Sequence, residues 1–156
     1  MESIEQSIEV EAPIEAVYNQ WTQFEEFPRF MSNVKQVQQL DEKRLHWKAS
    51  LAGKEKEWDA EIFKQTQDEV IAWRSTSGAK NVGEVRFEKR GGGMTRVTLE
   101  MAYEPEGALE HVGDALGVVD AQVKGDLERF KKFIEERGRE TGGWRGEIQG
   151  GQVKNS

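Results

Sequence analysis

Between Leu109 and Arg137 the apolar residues Leu109, Val112, Leu116, Val119, Val123, Leu127, Phe130 and Ile134 recur at steps of three and four. At about 100° per residue they share roughly 80° of arc, a seam about 40 Å long on one helix. Such a helix must be covered along its length, so the rest of the chain has to supply a broad apolar face. Acidic Glu106, Glu110 and Asp114 near its start and basic Lys131, Lys132 and Arg137 near its end suit the helix dipole. Gly113, Gly117 and Gly125 interrupt it, each at a cost of about 1 kcal/mol relative to Ala. Gly113 lies about 80° and Gly117 about 120° from the seam centre on one flank, while Gly125 points away. Two readings fit Gly113: a flank thinned to border a cavity, or close packing against sheet or loop.

The cover is legible upstream. "SIEQSIEVEA" alternates, with Ile4, Ile8 and Val10 on one face, and reads as a strand ended by Pro13. Pro13, at the first helical position, opens a short helix with Ile14, Val17, Tyr18 and Trp21 on one side. "TQFE" reads as a capping box, Thr22 to Glu25, that starts a second short helix through "FEEFPRFM". Alternation then resumes in "RLHWKASLA", "EWDAEIF", "VIAWRSTS", "VGEVRFEKR" and "TRVTLEMAY", with "RGGG" as a hairpin turn. Short turns between successive strands imply an antiparallel sheet of six to seven strands with the helices on one face, an α+β fold.

A chain of 156 residues suits a single domain, expected over 1–137, followed by a Gly-rich polar tail, 138–156, that reads as irregular with Trp144 and Arg145 as its anchor. A net charge of −7 with both signs interspersed argues against a nucleic-acid partner. With no Cys, the chain has neither disulfides nor thiolate chemistry. No apolar run reaches the length of a signal peptide or a membrane span, so a cytoplasmic protein without stable membrane insertion is expected. Nothing in the sequence sets the oligomeric state.

The pattern "FEEFPRFM", "LHWKASLAGKEKEWDAEI", "IAWRS", "GEVRFE", "YEPEG", "DLERFKKFIEERG" and "TGGWRG" resembles the START-like (SRPBCC, helix-grip) superfamily, and within it the bacterial polyketide cyclase/dehydrase family. The resemblance extends to about Ile148. It implies a helix-grip fold, in which a curved antiparallel sheet wraps a long C-terminal helix, with an apolar cavity between the two. Alternation would then line that cavity with Trp47, Trp58, Ile71, Trp73, Phe87, Leu99, Met101 and Tyr103, over a floor of Val112, Leu116 and Val119. The resemblance puts the entrance near the short helices, where Phe27, Phe30 and Met31 form either a buried underside or an apolar gate.

Catalytic chemistry is sparse. His46 should face away from the apolar layer, and His111 should be exposed on the helix; two isolated His without ligand spacing give no metal site, and no cofactor is implied. Asp120 and Asp126 each lie about 60° from the seam centre on opposite flanks. Asp120, sharing the flank of Gly113, is the candidate for orienting a ligand or moving a proton, against the plainer reading of a paired residue at the sheet rim. Ser75 and Tyr103 offer hydroxyls. The function expected is binding or carriage of a small hydrophobic molecule, lipid-, quinone- or polyketide-like. The alternative is a cyclase or dehydratase acting on a polyketide-like or aromatic substrate.

Overall fold

The first alternating stretch forms strand β1 (Glu2–Val10), which buries Ile4 and Val10 and leaves Glu5 and Glu9 in water. The computed structural model describes residues 2–51, 54–78, 80–103 and 113–154. Helix α1 (Ile14–Trp21) follows, with Ile14, Val17, Tyr18 and Trp21 all buried. Pro13 is its N-cap rather than its first helical residue: its backbone is extended (ψ 150°), and its carbonyl accepts the first helical N–H, from Val17.

The expected capping box does not form. The next element is a 3-10 helix, Phe24–Arg29, whose N-cap is Gln23, one residue beyond Thr22. The Thr22 hydroxyl instead donates to the Asn19 carbonyl and accepts the N–H of Trp144, while Glu25 accepts the N–H of Gln39. A hydroxyl already committed to the end of α1 cannot also cap the following turn.

Strands β2 (Val34–Gln39), β3 (Arg44–Leu51), β4 (Lys54–Thr66), β5 (Val70–Gly78), β6 (Asn81–Arg90) and β7 (Met94–Tyr103) join β1 in one antiparallel sheet of order β1-β7-β6-β5-β4-β3-β2. Register shifts at Val34/Gln36, Asp59/Ala60 and Ile62/Lys64 mark bulges, which bend strands and raise their twist. The sheet curves around helix α2 (Gly113–Arg137), where Val119, Val123, Leu127, Phe130 and Ile134 are buried as the seam requires. One flank of α2 is tied to β1 and the residue that follows it: Gln6 donates to Asp120, Lys131 to the Glu9 carbonyl, and the Glu11 N–H to Glu135. The other flank is tied to the end of the 3-10 segment, where Arg129 donates to the Phe30 carbonyl and to Ser32.

The C-terminal segment is not irregular. Residues Glu147–Gln149 (β8) and Gln152–Lys154 (β9) form a hairpin. Strand β8 pairs with β4 at Gln65↔Ile148, taking up the edge that β3 leaves beyond Glu61, and Ile148 is fully buried. Between α2 and this hairpin the chain crosses α1. Gln20, itself fully buried, donates to the Thr141 hydroxyl and accepts its N–H, and Arg145 reaches Asn19 and Asp68. Arg145 also lies over the ring of Tyr18, whose hydroxyl accepts from Gln65 and whose pKa burial pushes up to about 12. Glycine richness suggested a loose tail because the apolar residues that dock it, Trp144, Ile148 and Val153, are few and widely spaced in a polar stretch.

Candidate ligand cavity

An apolar cavity of about 100 Å³ lies between the sheet and the flank of α2 that carries Gln122 and Asp126. Its wall is built in layers. Trp21, Phe24, Phe27 and Met31 come from α1 and the 3-10 segment; Trp47, Trp58, Ile62, Ile71, Trp73, Leu99 and Met101 come from the sheet; Val119 and Val123 come from α2. The rings brace one another: Trp47 stacks on Trp58 with centroids 5.8 Å apart, and Phe27 bridges Trp21 at 5.3 Å and Trp47 at 5.6 Å.

Trp73 is seated by an absent side chain. Gly83 faces it across the β5–β6 pair, and a Cβ at Gly83 would stand 2.6 Å from the Trp73 ring and 3.1 Å from the Glu100 carbonyl oxygen. Neither Gly117 nor Gly125 borders the cavity in this way. An added Cβ at Gly117 meets nothing within 4 Å, and at Gly125 it meets the guanidinium of Arg129. The surroundings of Gly113 lie outside the described residues. The described cavity lies on the flank of α2 opposite the one that carries Gly117 and Asp120.

Four polar side chains reach the wall: Asn33, Asn81, Gln122 and Asp126. Asp126 is held by Arg129 and by the N–H of Ser32, yet burial outweighs both and raises its carboxyl above the ordinary Asp value. Gln122 lies one helical turn before Asp126, so the two share a face. The amide oxygen of Gln122 and the indole N–H groups of Trp21 and Trp47 are buried without a hydrogen-bond partner among the described residues.

Of the residues expected at the cavity, Trp47, Trp58, Ile71, Trp73, Leu99, Met101 and Val119 are on its wall. Phe87 is not; it is buried edge-on against Tyr18, with centroids 5.3 Å apart. Tyr103 is buried elsewhere, near the start of β1 and β6. Val112 and the side chain of Leu116 lie outside the described residues, as does His111. Among the residues expected at an entrance, Phe27 and Met31 are buried and belong to the wall, while Phe30 is sealed behind them against Phe130 and Phe133. Asp120 is half-buried on the β1 flank, bonded to Gln6 at 2.9 Å, and is absent from the wall. The carboxyl at the cavity is that of Asp126. Ser75 accepts the N–H of Asn81. His46 points to the outer face of the sheet, between Asp59 at 2.5 Å and Glu57 at 2.6 Å. Among the described residues no group of His, Asp or Glu side chains is arranged to hold a metal ion, and no helix is long and apolar enough to cross a membrane.

This combination of sheet, gripped helix and apolar space between them has counterparts. Residues 10–132 match the family described as polyketide cyclase/dehydrase and lipid transport, and the chain belongs to that family, with the START-like helix-grip architecture. A protein of Streptomyces lincolnensis, described as an uncharacterized 17.2 kDa protein, is 52% identical over 149 residues, 95% of this chain and 99% of that one. A crystal structure from Deinococcus radiodurans is 27% identical with a TM-score of 0.68, covering 88% of this chain and 99% of the other. The structure of an aromatase/cyclase from a Streptomyces species is 19% identical with a TM-score of 0.72, covering 92% and 99%, a likeness of fold.

Proposed function

We propose that the chain binds one small hydrophobic molecule between sheet and helix, as a carrier or binding module. The observation that carries this reading is the cavity itself, walled by four tryptophans and other apolar side chains with few polar groups, the usual make-up of a ligand site. At about 100 Å³ it is smaller than the roughly 300–1,000 Å³ of sites for drug-sized ligands. A space of this size suits a single ring or a short chain, and a larger lipid-, quinone- or polyketide-like molecule requires its walls to part. Native mass spectrometry of the protein purified gently from its own cells tests the reading. A retained small hydrophobic mass supports it; a bare chain that also fails to take up added ring compounds refutes it.

A cyclase or dehydratase is the second reading, favoured by one observation, the Asp126 carboxyl at the wall with its raised pKa. Burial makes this carboxyl hold its proton more readily than an ordinary Asp, which suits it to passing a proton to a bound molecule. Its engagement by Arg129 and Ser32 favours a structural role, so the carrier reading is preferred. Asp126→Asn separates the two: a carrier keeps its affinity for a neutral ligand, whereas an enzyme loses turnover.

A further inference from the structure

The polar atoms of the cavity are few, and they are of particular kinds. Indole N–H groups donate only, the amide oxygen of Gln122 accepts, and Asn33 and Asn81, also on the wall, carry amides that do either. Trp21 is 2% exposed, and its N–H, like that of Trp47, is buried with no hydrogen-bond partner among the described residues. These two donors flank Phe27, which contacts both rings. The acceptor stands across from the sheet, on α2, one turn before Asp126. A buried polar group left unpaired costs more than a hydrogen bond returns in water, so a ligand that pairs these atoms gains over one of the same shape that does not.

The charges point the same way. Among the described residues no Lys or Arg lies on the wall, and the one ionisable group there, Asp126, is already matched by Arg129. An anionic ligand would meet a carboxyl and no cation. A cationic one would meet a carboxylate whose charge is already answered. Either would be desolvated without compensation.

From this geometry we infer that the cavity selects an uncharged ring compound carrying a hydroxyl, whose O–H donates to Gln122 and which offers an oxygen acceptor to the indole N–H of Trp47 or Trp21. This rests on the binding function proposed above and narrows its ligand class. It sets apart hydroxylated neutral rings from plain hydrocarbons, and both from fatty-acid-like anions.

Isothermal titration with probes built on one tolyl ring tests it: toluene, 4-methylanisole, 4-methylphenol, 4-methylbenzoate and 4-methylbenzylamine. At pH 7 the phenol is neutral, since phenolic groups titrate near pH 10. The expected order places 4-methylphenol about tenfold tighter than 4-methylanisole, the gain of roughly one well-made hydrogen bond, with both charged probes weaker still. In Gln122→Leu the advantage of the phenol over the anisole should collapse to less than about threefold. Because that substitution removes a buried unpaired acceptor, the variant should fold at least as stably as the parent, which thermal melts check. Equal binding of toluene, anisole and phenol, tighter binding of either charged probe, or a phenol preference that survives in Gln122→Leu overturns this inference while leaving hydrophobic binding intact. If no probe binds, the proposed function falls with it.

Discussion

Substituting Gly83 by Ala places a methyl group where the ring of Trp73 now lies. The Cβ would stand 2.6 Å from ring atom Cζ2 and 2.9 Å from Cε2, against a carbon–carbon optimum of about 3.5–4.0 Å, so the indole must retreat by about 1 Å. The other close atom, the Glu100 carbonyl oxygen at 3.1 Å, belongs to the β6–β7 ladder and has less freedom to move. Overpacking of this kind costs about 1–3 kcal/mol, and loss of glycine's freedom in the unfolded chain returns about 0.4–1 kcal/mol. The expected net loss is about 1–2 kcal/mol, or a fall in Tm of about 3–6 °C for a chain of this size. Urea titration of Gly83→Ala in the parent and in a Trp73→Leu background isolates the cause. With the indole gone the substitution should cost less than about 0.5 kcal/mol, a coupling expected only between residues in contact. Equal costs in the two backgrounds, or none in either, would show that Gly83 does not seat Trp73.

Leu127→Ala, at a position 1% exposed in the seam, should cost about 2–5 kcal/mol in a thermal or urea melt; a shift near zero would place Leu127 outside the core. Ile148→Ala should cost about 2–5 kcal/mol, and only if the C-terminal hairpin is docked on β4 in solution. The Asp59 and Glu57 carboxylates raise the pKa of His46 above 6.5 by hydrogen bonding. Its contribution to stability is therefore full below about pH 6.5 and lost as the pH rises through the higher folded value. In His46→Gln that component should vanish from the pH dependence of the urea midpoint, by an amount limited to about 1 kcal/mol or less for a surface ion pair. Asp126 also has a raised pKa, so protonation favours the folded state and the group's contribution declines as the pH climbs past the ordinary carboxylate range. Asp126→Asn should flatten that decline.

The fold was legible because its two periods are clean. The seam from Val119 to Ile134 and the alternations of β3 to β7 each commit a face, and the element order then leaves few topologies. Seven of the expected lining residues lie on the wall for the same reason: alternation puts Trp47, Trp58, Ile71, Trp73, Leu99 and Met101 on the inner face, and the seam supplies Val119. Alternation cannot say how far along the strand the open space extends, so Phe87, on the same face as Val85, was placed at the cavity when it packs on Tyr18. Gly117 is exposed, so its missing side chain marks open solvent rather than a cavity wall, and the surroundings of Gly113, on which the cavity reading rested, lie outside the described residues. The glycine that shapes the wall, Gly83, has its partner ten residues away across a strand pair. Gln122, about 100° from the seam centre, reads as a surface residue until the cavity is seen to reach that flank of the helix. Thr22 fits the sequence signature of a capping box, but its hydroxyl is claimed by Asn19 and Trp144, a contact 122 residues distant that no local motif announces.

The central claim is that a ligand enters the space between sheet and helix. Methyl-labelled protein saturated with toluene, read by intermolecular nuclear Overhauser effects, tests this most directly. Contacts from the ligand to the methyl groups of Met31, Leu99, Met101, Val119 and Val123, all on the wall, are predicted, with none to the exposed Leu40 and Val118. Contacts confined to Leu40 and Val118, or no contacts at all at saturating ligand, would contradict the account.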